Sequence, residues 1–106
     1  MSRFLWKAAY TAEGTRGVLE EGGTSRRDAV DKVVQGLGGT LESFYYAFGE
    51  DDVYAIVDLP SNVDNAAVSL TVAATGAVRV KTVVLLTPEE IDEAAKRSVE
   101  YRPPGG

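Results

Sequence analysis

Residues 40–60 read TLESFYYAFGEDDVYAIVDLP, and the order of residue types in that stretch decides the fold. Thr40 to Phe48 is rich in strand formers: Leu41, Phe44, Tyr45, Tyr46 and Phe48. Gly49-Glu50-Asp51-Asp52 is a polar turn, and Val53 to Leu59 is a second apolar run closed by Pro60. Two such runs around a short polar turn predict a β-hairpin.

On each side of the hairpin lies a helical pattern. Upstream, Thr24 or Ser25 can cap a helix, with Asp28 as box partner to Ser25. Val30, Val33, Val34 and Leu37 follow at helical spacing, and Gly38-Gly39 stops the run. Downstream, Ser61 and Asp64 form a second capping signal, and Val63, Ala66, Ala67, Leu70 and Ala74 repeat the stripe. That stripe is thin enough to lie close to a sheet. Gly76 ends it.

A strand flanks each helix in turn. Residues 3–12, RFLWKAAYTA, place Phe4, Trp6 and Tyr10 on one parity and Leu5, Lys7 and Ala9 on the other. After it, Gly14 and Gly17 loosen the chain, Val18 and Leu19 suggest a short helical turn, and Gly22-Gly23 breaks it. Ala77 to Leu86 is the fourth strand. Thr87-Pro88-Glu89-Glu90 then opens a last helix with a capping box and proline in the first helical position. Its acids face the positive end of the helix dipole, and Lys96 and Arg97 the other end.

The order is β-α-β-β-α-β with a C-terminal helix. Right-handed crossovers turn that order into an α+β, ferredoxin-like fold, one four-stranded antiparallel sheet with helices on one face. Residues 1–97 form a single domain, and 98–106 are expected to be a flexible tail. On alternation alone, the other sheet face carries Leu5, Phe44, Tyr46, Tyr54, Ile56 and Val83 among Lys7, Asp58 and Lys81. A face that apolar calls for cover. Packing against a second copy, as a dimeric α/β barrel, supplies it.

Composition narrows the chemistry. Hydrophobic residues make up 44% and charged residues 25%, the balance of a globular domain rather than a disordered one. No stretch approaches the ~20 apolar residues of a membrane span. Ser2 and Arg3 run straight into a strand, so no export signal is expected and the cytoplasm is the expected compartment. A net charge of −5 opposes binding to nucleic acid or an anionic membrane. The aromatic-basic signature of an RNA-binding sheet is missing. Without cysteine or histidine there is no disulfide, thiol chemistry or Ser-His-Asp triad, and the common zinc and haem ligands are lacking. No metal and no cofactor are expected.

Several stretches together resemble the GYD-domain family. They are YTAEG at 10–14, EGG at 21–23 followed by Arg26, GG at 38–39 and FYYAFGEDD at 44–52. DLP at 58–60, ATGAV at 74–78 and LLTPEE at 85–90 continue the set, which spans residues 1–97 in order. The resemblance implies a dimeric α/β-barrel fold and no settled activity. It also implies a Gly-Tyr-Asp signature in the hairpin. Gly49 and Asp52 fit it, while Asp51 stands where the tyrosine is expected. The wider dimeric α/β-barrel group includes cofactor-free oxygenases, isomerases and plain binding proteins, so the likeness speaks to fold more than to function.

Two functional readings follow. In the first, the domain is a homo-oligomer that binds a small apolar or aromatic ligand or serves as an interaction module. Trp6, Tyr10, Tyr45, Tyr46 and Tyr54 supply aromatic surface, and Lys7 and Arg26 supply positive charge. Arg26 lies in Gly22-Gly23-Thr24-Ser25-Arg26-Arg27, a combination suited to an anion at a helix start. In the alternative, the protein is a cofactor-independent oxygenase or isomerase acting on a small aromatic or enolisable substrate. Without histidine, a carboxylate in an apolar pocket is the natural proton carrier, and Asp52 and Asp58 are the catalytic candidates. Each residue also has a plain structural explanation: aromatics bury area in any core, and Asp favours turns. Glu50-Asp51-Asp52 alternate in direction along a strand and make a poor metal cage.

Overall fold

A computed structural model describes every residue from Met1 to Gly106. The hairpin forms as read: β2 (Thr40–Tyr46) pairs antiparallel with β3 (Val53–Leu59). Around it the chain adds β1 (Ser2–Tyr10), α1 (Ala12–Glu21), α2 (Gly23–Gly36), α3 (Asn62–Ala74), β4 (Val78–Leu85) and α4 (Pro88–Ala95). The four strands make one antiparallel sheet in the order β2-β3-β1-β4. The fold is therefore α+β and ferredoxin-like, with an added C-terminal helix.

The parity of β1 and β3 decides where the core sits. Phe4, Trp6 and Ala8 alternate with less buried neighbours, as do Val53, Ala55, Val57 and Leu59. Val34 of α2 closes the layer above them. Phe4, Val34, Val57 and Leu59 are fully buried. Each such side chain contributes about 1.5–3 kcal/mol of transfer free energy.

Three expectations are corrected. First, Phe44 and Tyr46 face the helices rather than the open side of the sheet. The register slips between Leu41 and Ser43, which leaves Glu42 as an extra residue. Such a bulge resets the alternation, so Leu41 and Phe44 both pack against the core. The open face instead carries Tyr45, paired with Tyr54, and Ser43, paired with Ile56.

Second, α3 turns its other side to the sheet. Val68 packs on the core, while Val63 and Leu70 are 77% and 73% exposed. Periodicity does not choose its face: the side toward the sheet mixes Val68 and Val72 with Asn65 and Ser69, while Val63, Ala66, Ala67 and Leu70 face outward. Trp6 chooses it: its buried indole N–H donates to Asn65 Oδ1 at 2.7 Å, and a buried donor needs such a partner. That bond fixes the rotation of α3.

Third, residues 12–21 form a full helix rather than a short turn. Thr11 caps it by accepting from the Gly14 N–H. In turn α2 begins at Gly23 with no side-chain cap from Thr24 or Ser25.

Candidate functional site

The floor of the sheet between α2 and α3 is built from small side chains. Ala8, opposite Val53, and Ala55, opposite Trp6, lie diagonally on the central strands, and Ala29 of α2 and Ser69 of α3 line the same space from the helices. Small residues meeting from both layers leave room that larger ones would fill. The result is a cleft of about 260 Å³. Trp6, Phe44 and Val53 form part of its sheet side, and Val30, Val33 and Val72 come from the helices. Of its lining residues only Arg26 and Ser69 are neither apolar nor aromatic.

Polar groups gather at one end. Tyr10 and Arg26 line both this cleft and an adjoining outer depression edged by Glu13, Glu20 and Glu21. Arg26 is held from outside by Glu21 at 3.5 Å. Tyr46 reaches the same corner and donates its hydroxyl to the Gly23 carbonyl at 3.1 Å.

The glycine pair explains how Tyr46 gets there. Gly22 joins α1 to α2 at φ 84°, a left-handed conformation that costs glycine little. At Gly23 a Cβ would stand 2.9 Å from Tyr46 Cε2, so a side chain there would push the ring away.

Burial pushes the Tyr10 phenol up to about 12, with the neighbouring Tyr46 adding to the effect and Arg26 opposing it. Tyr10 is therefore neutral near pH 7, with a hydroxyl able to donate a hydrogen bond.

The candidates do not all meet. Trp6, Tyr10 and Arg26 line the cleft, and Tyr46 stands at its corner. Lys7, Tyr45, Tyr54 and Asp58 lie on the opposite, open face. There Asp58 accepts from Arg3 Nε at 3.1 Å, and Arg3 also pairs with Glu42 at 3.3 Å. The hydrogen bond to Asp58, more than the surrounding charge, raises the arginine's pKa.

Asp52 sits at the end of the hairpin. Its Oδ2 accepts from the Tyr10 N–H at 2.8 Å, and its own N–H donates to the Ala8 carbonyl at 2.8 Å. These bonds tie the turn to β1 beside the cleft, but Asp52 does not line it. Asp51, the residue in place of the expected tyrosine, is buried, with Lys81 Nζ at 3.1 Å. A hydrogen bond to Asp51 raises the Lys81 pKa, reinforced by the attraction of the two charges. No three carboxylates converge in a metal-binding cluster.

Ala29, Ser69 and Val72 were not singled out in the sequence, and Val30 only as part of a helical stripe. Nothing marks them there, because small and β-branched residues on a helix read as packing.

The fold and cleft define an α+β sandwich with a half-open apolar site between sheet and helices. The GYD domain family matches residues 4–95, and the chain belongs to that family. No curated protein and no solved structure matches it. No helix is long and apolar enough to cross a membrane.

Proposed function

We propose that this domain is a homo-oligomeric binding protein for a small, mostly apolar or aromatic molecule, held in the cleft between the sheet and α2 and α3. The observation that carries the reading is the lining: apolar walls with Tyr10, Arg26 and Ser69 as the polar groups. Ligand sites have this character, apolar walls with a few convergent polar handles. A dry cavity of about 150 Å³ holds benzene, so a cleft of about 260 Å³ is sized for a substituted ring. Tyr10 donates and Arg26 carries charge at one end, which favours a ligand with a single carbonyl, enolate or carboxylate oxygen.

The oligomer rests on the open sheet face. Leu5 stands there in register between Ile56 and Val83, with Tyr54 on the same face opposite Lys7. The helices that pack on the sheet contribute their buried residue, Val34, to the opposite layer. A second copy is the simplest cover for such a face. The catalytic alternative draws less support, since Asp58 faces away from the cleft and Asp52 is engaged by the Tyr10 N–H.

Trp6, the chain's one tryptophan, lines the cleft and reports on it directly. Titration with anilinonaphthalene sulfonate, an aromatic anion, is expected to quench Trp6 and saturate with one probe per chain. Arg26→Ala should weaken binding about tenfold, equivalent to about 1.4 kcal/mol. Ala29→Phe should fill the space and abolish binding while leaving the far-UV spectrum unchanged. No saturable binding, or binding indifferent to Ala29→Phe, would remove the cleft as the site.

A further inference from the structure

The C-terminal arm does not belong to the body that precedes it. Every residue from Pro88 to Gly106 is exposed. The radius of gyration is 16.9 Å and the longest extent 56 Å against 33 and 24 Å. A compact chain of this length has a radius of gyration of about 13 Å.

Yet the arm is built to pack. Successive residues of α4 turn by about 100°, which places Pro88, Ile91, Ala94 and Ala95 on one side. Glu89, Glu90, Asp92 and Glu93 take the remainder. Ile91 is 52% exposed, and Leu86, Val99 and Tyr101 are more so. Locally, α4 has a complete capping box between Thr87 and Glu90. A cap contributes about 1 kcal/mol, whereas helices shorter than about 12–15 residues are marginal in water without tertiary packing. At eight residues, α4 needs a surface to lie on.

Area indicates what that surface is. The chain exposes 7461 Å². A folded monomer of this mass exposes about 5,700 Å². The surplus of about 1,800 Å² per chain matches what each subunit of an obligate homodimer buries, roughly 1,000–2,500 Å². The arm also continues directly from β4, whose Val83 and Leu85 lie on the open sheet face.

We infer that the arm from Leu86 to Tyr101 crosses to a second copy of this chain and packs its Ile91 face there. The inference shares the homo-oligomer with the proposed function, but it concerns a different surface. Each arm exchanged in this way adds to the contact made by the paired sheets.

Full-length wild type, Ile91→Asp and Ile56→Asp are compared by sedimentation over a range of concentrations. Wild type is expected at twice the chain mass or more. Ile91→Asp should raise the dissociation constant at least tenfold while keeping the wild-type circular dichroism, since Ile91 supports no part of the body. Ile91→Asp with the wild-type dissociation constant overturns the arm, whatever Ile56→Asp does. Dissociation by Ile91→Asp but not Ile56→Asp upholds the arm and sinks the sheet-face contact. A monomeric wild type overturns both.

Discussion

At the residue scale, two buried or half-buried groups carry charge or avoid it, and each has a measurable consequence. Burial is the chief cause that pushes the Tyr10 phenol up to about 12 in the folded chain, against about 10 when unfolded. Folding therefore favours its neutral form. Its contribution to stability is whole below pH 10 and disappears as the pH rises to about 12. Allowing for solvent screening of a half-exposed group, the loss is roughly 1 kcal/mol. Urea melts of wild type and Tyr10→Phe across this window should differ by that amount, with the variant less sensitive to pH. Equal slopes would show that Tyr10 is as hydrated folded as unfolded.

Asp51 and Lys81 form an unequal pair. The carboxylate is buried and the ammonium largely exposed. Removing the lysine strands a buried charge, whereas removing the aspartate leaves a lysine that water can solvate. Lys81→Met should lower the melting temperature by several degrees, and Asp51→Leu by clearly less. The reverse order, read by calorimetry, would mean that Asp51 has another partner.

At the scale of elements, local chemistry and tertiary packing divide the work differently in each segment. The hairpin, α2 and α4 were legible because turn residues, a single apolar stripe and a capping box each point one way. Strand β2 was only half legible. Its strand formers place it correctly, but alternation carries Phe44 and Tyr46 to the wrong face, because a bulge at Glu42 leaves no mark in residue type. Deleting Glu42 should restore plain alternation and turn Leu41 out of the core, costing about 2 kcal/mol in denaturant unfolding. Glu42→Ala, which keeps the bulge, should stay near wild type. If the deletion were equally mild, Leu41 would not depend on the bulge for its burial. Helix α3 fails for a different reason: its apolar stripe of Val63, Ala66, Ala67 and Leu70 is left exposed, because the Trp6 indole requires Asn65 on the side toward the sheet.

For the whole molecule, residues 3–86 assemble a core and one closed layer, while a sheet face and an arm stay uncovered. Phe48 at the hairpin tip is also fully exposed. Surface of this kind is costly in water, and it underlies the expectation that the chain acts as more than a monomer. The sequence by itself determined the βαββαβ order, the C-terminal helix and the family. Those rest on turn chemistry, caps and periodicity, all of which act between residues near in the chain. Of the candidate site it marked Trp6, Tyr10 and Arg26, residues with a chemical character of their own. Only the tertiary structure decided that these three share one cleft, that Lys7 and Asp58 lie on the other side of the sheet, and that Ala8, Ala29, Ala55 and Ser69 make the space. A cleft is a property of what two packed layers fail to fill, and no single segment contains that information.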